Sequence, residues 1–201
     1  MEQYFEKRPI VKSEKKSFTW HFNNVEFIFY GDNGVFSKNK VDYGSLALIK
    51  SFLTDYKGKG NILDLGCGYG PIGIILAKFL NNINIDMADI NNRAISLAKE
   101  NIIINNISNA KAIQSDIFEN IDKKYDGILL NPPIRAGKNT IYKMYEESIN
   151  YLKSYGIFYI VIQKKQGAQS TITKLKQIYG NCECIKKDKG YMILKSIYSM
   201  I

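Results

Sequence analysis

Apolar residues follow two rhythms along this chain, and the rhythm switches at regular intervals. The run Phe18–Tyr30 (FTWHFNNVEFIFY) is two apolar-rich stretches around Asn23-Asn24, which predicts a β-hairpin. In Val41–Tyr56, Leu46, Ile49 and Leu53 recur at helical spacing, so a helix is expected that ends near Gly58. From residue 61 short apolar runs alternate with helical patterns. Strands are expected at 61–65, 83–90, 110–114, 125–130, 157–163, 182–187 and 191–197. Helices are expected at 71–80, opened by Pro71, at 92–104, capped by Asn91 or Asn92, at 140–156, closed by Gly156, and at 168–180. Alternation of this kind predicts right-handed crossovers and an α/β, doubly wound, seven-stranded sheet. The last two strands form a hairpin around Asp188–Gly190, so one antiparallel edge strand is expected. The whole chain, 1–201, reads as one domain: a basic arm (1–16), a hairpin-and-helix extension (17–58) and a core (59–201).

Composition narrows the partner rather than the fold. Lys and Arg number 28 against 19 acidic residues, a formal charge of +9, and the excess favours a polyanion, with nucleic acid first. The first sixteen residues hold no apolar signal region, and no apolar run approaches membrane-spanning length. Three cysteines without a leader point to a reducing cytoplasm. Cys182 and Cys184 alternate along a strand, and with a single distant histidine, His21, they read as buried thiols; no metal site is expected.

In a doubly wound sheet, ligands lie beyond the carboxyl ends of the strands, near the point where strand order reverses. Four strand ends carry chemistry here. After the first, LDLGCGYGPIG (Leu63–Gly73) removes side chains where backbone must approach a ligand and then opens a helix. Gly68, Gly70 and Gly73 satisfy G-x-G-x-x-G literally, a weak match alone, and the turn begins with Asp64 and a Gly-x-Gly-x-Gly run instead. After the second comes Asp89, placed to accept from a ribose hydroxyl pair in either a dinucleotide or S-adenosylmethionine (SAM). After the third comes Asp116, which either receives an adenine amino group, with Ile90 and Ile117 flanking the ring, or caps a turn.

After the fourth comes NPPIRAGK (Asn131–Lys138). Two prolines stop helix and sheet alike, because neither ring nitrogen has a hydrogen to donate. The Asn131 side-chain oxygen and the Pro132 carbonyl are two acceptors in a stiff turn. A base amine is a poor nucleophile with its lone pair delocalised into the ring. Two fixed acceptors favour a pyramidal nitrogen and aim that lone pair at an electrophile.

LDLGCGYGPIG, Asp89, Ser115-Asp116 and NPPIRAGK together resemble a class I SAM-dependent methyltransferase of the Asn-Pro-Pro group, with a Rossmann-like fold. DNGVFSKNKVDYGSLALI together with NPPIRAGK resembles, more narrowly, the small-subunit ribosomal RNA guanine N2-methyltransferases, from about Trp20 onward. The resemblance implies SAM as cofactor. It places Asp64, Gly66, Cys67, Gly68, Gly70, Asp89, Ile90, Asp116, Ile117 and Asn131 about the cofactor, with Asp42 near its methionine end or capping the first helix. It implies catalytic roles for Asn131, Pro132 and Pro133, substrate contacts from Phe36, Ser37, Ile134, Arg135 and Lys138, and ribosomal RNA or the small subunit as partner, to a monomer or homodimer. Related enzymes often carry an aromatic where Ile134 stands, so here the aliphatic must serve, or another aromatic such as Phe36 must stack on the target base. Rival readings are a protein glutamine or adenine N-methyltransferase, a silent RNA-binding module, and a nicotinamide oxidoreductase that leaves the Asn-Pro-Pro loop without a purpose.

Overall fold

Asn23 and Asn24 both take positive φ (48° and 62°), the twist a two-residue hairpin turn needs, and they join β1 (Lys16–Phe22) to β2 (Val25–Gly31). The computed structural model describes residues 6–199. After the hairpin come α1 (Tyr43–Asp55), β3 (Gly60–Leu65), α2 (Pro71–Phe79), β4 (Ile83–Asp89), α3 (Asn92–Ile104), β5 (Ala110–Gln114) and β6 (Tyr125–Leu130). The chain ends with α4 (Lys138–Ser148), β7 (Leu152–Gln163), α5 (Ala168–Tyr179), β8 (Glu183–Asp188) and β9 (Tyr191–Ile197).

The large sheet has the order β5-β4-β3-β6-β7-β9-β8. β3 to β7 pair in parallel, and the antiparallel strand is β9, inserted in the edge portion between β7 and β8. Alternation along each central strand feeds two cores. Ile62, Ile85, Met87, Leu129 and Val161 pack towards α1, α2 and α3; Leu63, Leu65, Ile128, Leu130 and Ile160 pack towards α4 and α5.

The hairpin is a separate two-stranded sheet, and two asparagines fasten it. Asn105, the C-cap of α3, accepts from the Ile28 N–H (3.0 Å) and donates to its carbonyl (2.7 Å). One helical turn earlier, Asn101 does the same for Tyr30 (2.7 and 3.1 Å) and also donates to the Tyr69 carbonyl of the glycine loop (2.9 Å). Side chains four apart on a helix share a face, and residues two apart on a strand share an edge, so the paired amides satisfy the open side of β2. Trp20 packs against this core, and His21 lies on the surface facing Glu26 across the hairpin (3.2 Å).

The expected basic arm is held down over residues 7–14. Lys7, Pro9 and Val11 offer carbonyls to the Asn92 N–H and the Arg93 guanidinium, and Glu14 donates its N–H to Asp32. The arm's first five residues lie outside the described residues.

The helix expected over 140–156 is shorter. It starts at Lys138 and ends at Ser148, whose hydroxyl turns back to the Tyr145 carbonyl (2.7 Å). A single 3-10 turn follows, and the chain enters β7 at Leu152, paired with Tyr125 of β6. Tyr151 stacks on Phe118 (4.3 Å), and the amides of Tyr155 and Tyr198 pair with the carbonyls of Tyr198 and Gly156. Those long-range partners override the helical spacing of Tyr145, Ile149 and Leu152, and Gly156 lies within a bulged strand instead of closing a helix.

Candidate active site

Register aligns the strand ends. Leu65 of β3 pairs with Ala88 of β4 on one side and with Leu130 of β6 on the other. The next residue along each strand is Gly66, Asp89 or Asn131, so three of the four chemistry-bearing strand ends leave the sheet at one level. Strand order reverses between β3 and β6, and a cleft of about 360 Å³ opens there.

On its β3–β5 side the cleft is walled by backbone. Gly66 and Gly68 take φ of 70° and 58°, a left-handed region costly for residues with a Cβ, and no atom lies within 4 Å of where a Gly68 Cβ would point. The Gly66 and Cys67 amides donate to the Ala88 carbonyl, and the Gly68 amide donates to Asp89 Oδ2 (2.8 Å). Asp89 Oδ1 accepts from the Asn91 N–H (2.8 Å). Burial pushes the Asp89 carboxyl up to about 6, eased by these amides. Burial also drives the Cys67 thiol well above its usual range, so it lines the cleft as an inert, protonated group. Ile90, Asp116 and Ile117 complete this wall. Asp116 is exposed and its carboxylate makes no hydrogen bond among the described residues. The adjacent turn is held instead by Ser115, whose hydroxyl accepts from the Asn120 N–H and donates to the Ile117 carbonyl. Ile117 sits at φ 51°, a strained setting for a β-branched residue.

Three expected site residues do not line the cleft. Asp64 is buried beneath the loop, where Oδ2 accepts from the Gly73 N–H (3.0 Å) and Oδ1 has no partner. As a β3 residue it points to the face that carries α2, so it braces the turn. Gly70 is the left-handed residue before α2, and Gly73 lets that helix approach Met87, since a Cβ there would sit 2.3 Å from its sulfur. Lys138 starts α4 with Nζ over the Tyr142 ring (5.0 Å), outside the cleft lining.

Asp64 carries a further consequence. Burial, with the Asp89 charge adding to it, raises its carboxyl to about 7 against the opposing Gly73 hydrogen bond. Both aspartates therefore bind protons more tightly when folded than when unfolded. Their stabilising contribution is full below the ordinary carboxylate range and is lost as pH rises through about 6 and 7. The cofactor-free protein is expected to lose stability between about pH 4 and 7 in urea titrations, and Asp64→Asn to flatten that slope. An unchanged slope in the variant contradicts the assignment.

On its β6 side the cleft meets the Asn-Pro-Pro turn. Asn131 Nδ2 donates to Ser45 Oγ (3.0 Å) and lies 3.4 and 3.5 Å from the Asp42 carboxylate oxygens. Ser45 Oγ in turn donates to Asp42 Oδ2 (2.5 Å), and Asp42 Oδ1 caps α1 through the Ser45 N–H (3.1 Å). An ionised carboxylate only accepts, so the amide must present its NH2 to Asp42 and turn its oxygen away. Asp42 thus caps the first helix and also anchors Asn131. No N–H among the described residues donates to the Pro132 carbonyl, whereas the Pro133 carbonyl accepts from Ala136 (2.8 Å) in the 3-10 turn Ile134–Ala136. Ile134 and Arg135 line the cleft beyond.

The 32–41 loop roofs the site. Phe36 lines the cleft and is 46% exposed at its mouth, and Ser37 (φ 54°) bonds the Lys40 carbonyl. Asn91 holds the Gly34 carbonyl (2.8 Å) and the Tyr69 hydroxyl holds that of Lys40 (2.9 Å). Residues that the motifs did not flag also line the cleft: Ser45, and Gln163 and Tyr191 at the far end, joined by a 2.6 Å hydrogen bond.

The family model for the methyltransferase small domain matches residues 26–195, which takes in the glycine loop, both acidic strand ends and the Asn-Pro-Pro turn. This chain belongs to the methyltransferase small domain family. The Bacillus subtilis (strain 168) protein YbxB is 46% identical over 97% of this chain and 98% of its own length. Ribosomal RNA small subunit methyltransferase C of Psychromonas ingrahamii is 32% identical over 90% of this chain and 52% of its own, so this chain spans about half of that relative. Among solved structures, the Thermus thermophilus 16S rRNA N2 G1207 methyltransferase, in complex with AdoMet and guanosine, superposes with a TM-score of 0.83 at 23% identity, over 94% of this chain and 52% of that one. The small domain protein is thus a SAM-dependent methyltransferase with the class I fold. Its residues fit that cofactor: an open backbone cradle at Gly66 and Gly68, a carboxylate at Asp89 and an unpartnered carboxylate at Asp116. No helix of the described residues is long and apolar enough to cross a membrane.

Proposed function

We propose that this small domain methyltransferase transfers a methyl group to the exocyclic 2-amino group of a guanine in small-subunit ribosomal RNA. The observation that carries the reading is the tethered Asn131 amide, whose nitrogen is held by Ser45 and Asp42 and whose oxygen is left for a ligand. SAM supplies an electrophilic methyl on a sulfonium, so neither a metal nor a covalent enzyme intermediate is needed. Gly66, Gly68 and Asp89 hold the cofactor, and Asp116 with Ile90 and Ile117 receives its adenine. Asn131 Oδ1 and the Pro132 carbonyl accept the two hydrogens of the target amine and direct its lone pair. Pro132 and Pro133 keep that geometry fixed, and positioning of this kind is worth up to about 7–11 kcal/mol in favourable cases. Phe36 at the mouth is the ring that stacks on the target base, with Ile134 as the apolar floor.

The activity named for the Thermus thermophilus structure favours guanine, and the name of the methyltransferase C relative favours small-subunit ribosomal RNA, over the adenine and glutamine alternatives, which share the two-acceptor logic. Mass mapping of ribosomal RNA from cells lacking the protein tests the choice. One N2-methylguanine is expected to disappear and to return with the wild-type gene but not with Asn131→Ala. A complete guanine methylation pattern in those cells overturns the reading.

A further inference from the structure

The ion pairs of the described residues avoid one part of the surface. Lys195 pairs with Asp55, Lys111 and Lys123 with Asp86, Lys153 with Asp126, and Lys174 with Glu146. Around the β6, β7 and β9 side of the cleft mouth stand five cations outside these ion pairs, and Asp42, which lines the cleft there, is engaged by Ser45. Arg135 lies on the 3-10 turn after Asn-Pro-Pro, and Lys138 opens α4. Lys164 and Lys165 lie on the 3-10 turn after β7, whose Gln166 lines the cleft. The Lys164 N–H donates to the Gly190 carbonyl (2.8 Å), which brings the β8–β9 turn and Lys189 alongside. Lys189 Nζ lies over Tyr43 (5.0 Å), and Tyr43 packs against Tyr191 of the cleft wall (5.6 Å). All five cations are exposed, and none has an ion pair among the described residues. The acid beside them, Asp188, is engaged by the Tyr43 hydroxyl (2.6 Å). The opposite side of the mouth carries Asp89 and Asp116 instead. A surface charged only for solubility intersperses paired charges of both signs, whereas this rim gathers five exposed cations outside any ion pair of the described residues beside one opening.

We propose that Arg135, Lys138, Lys164, Lys165 and Lys189 form a rim that grips the sugar–phosphate backbone of RNA flanking the nucleotide that enters the cleft. This rests on the RNA reading above and adds the side from which the strand approaches. Cations on three separate loops suit a chain of evenly spaced phosphates better than a single anionic group. The test is filter binding of an unmodified small-subunit ribosomal RNA transcript from 50 to 200 mM KCl. It compares wild type, the rim triple Lys164→Ala, Lys165→Ala and Lys189→Ala, and a control triple Lys50→Ala, Lys57→Ala and Lys59→Ala of equal charge loss. The control lysines are exposed on α1 and on the loop that enters β3, at the other end of the sheet. The rim triple is expected to weaken binding at least about tenfold and to reduce the log–log salt slope by about 2, at about 0.7 per single-strand phosphate. The control should shift binding less than about twofold, with SAM affinity equal in all three proteins. Equal losses in both triples, no loss in the rim triple, no binding by wild type, or displacement of the transcript by polyglutamate as readily as by unlabelled transcript overturns the proposal. Methylation of the same transcript is scored separately. A bound but unmethylated transcript counts against the activity, and a methylated transcript whose binding ignores the rim counts against the rim.

Discussion

Asn131→Ala is expected to lower the single-turnover rate of methyl transfer by roughly 10²–10³-fold, the loss seen when one preorganised hydrogen-bonding group is removed at a reacting centre. SAM affinity should stay within about threefold. The split follows from the geometry. The alanine removes the acceptor proposed to face the target amine and leaves untouched the Gly66–Gly68 cradle, which follows β3, and Asp89, which ends β4. Ser45→Ala should produce a smaller loss of the same kind, because it removes the shorter of the amide's tethers and leaves only the longer contacts to Asp42, while the backbone cap between Asp42 and the Ser45 N–H survives. Rapid-quench turnover with saturating SAM, alongside calorimetric SAM titration, separates the two effects. Near wild-type turnover in Asn131→Ala removes the residue from the chemistry.

Asp89→Ala is expected to have the largest effect on binding. The carboxylate accepts from the Gly68 and Asn91 amides and is also the proposed acceptor for the ribose hydroxyls. Its removal costs the ligand hydrogen bonds and leaves two amides unsatisfied in the cradle, about 1–3 kcal/mol or roughly 5- to 150-fold in Kd. Because its carboxyl sits at about 6, wild-type SAM affinity should also fall as pH drops through 6, and in the variant that dependence should disappear. Titration calorimetry at pH 5.5 and 7.5 reads both effects. A Kd unchanged by the substitution excludes the ribose assignment.

The strand ends were legible in the sequence because chemistry there is local. Glycines at two-residue spacing, an aspartate closing the next strand and two prolines after an asparagine each follow a recognisable apolar run. What stayed hidden depends on residues distant in the chain. Ser45 reads as an ordinary residue in the first turn of a helix, and its contact with Asn131 spans 86 positions. Asn101 and Asn105 look like poor helix residues until β2 is placed against them. The position of Asp64 outside the cleft lining has a related cause: proximity to the glycines along the chain does not reveal which face of β3 a side chain takes. The spacing over 140–156 predicts a longer helix than the one that forms, because periodicity carries no trace of Tyr151 stacking on Phe118 or of Leu152 pairing with Tyr125.

The most direct measurement is a crystal structure of the protein with S-adenosylhomocysteine and guanosine bound together. The guanine 2-amino nitrogen should lie within hydrogen-bonding distance of both Asn131 Oδ1 and the Pro132 carbonyl, with the cofactor sulfur on the opposite side in line with it. A base held elsewhere in the cleft, or a sulfur facing away from the Asn-Pro-Pro turn, contradicts the account.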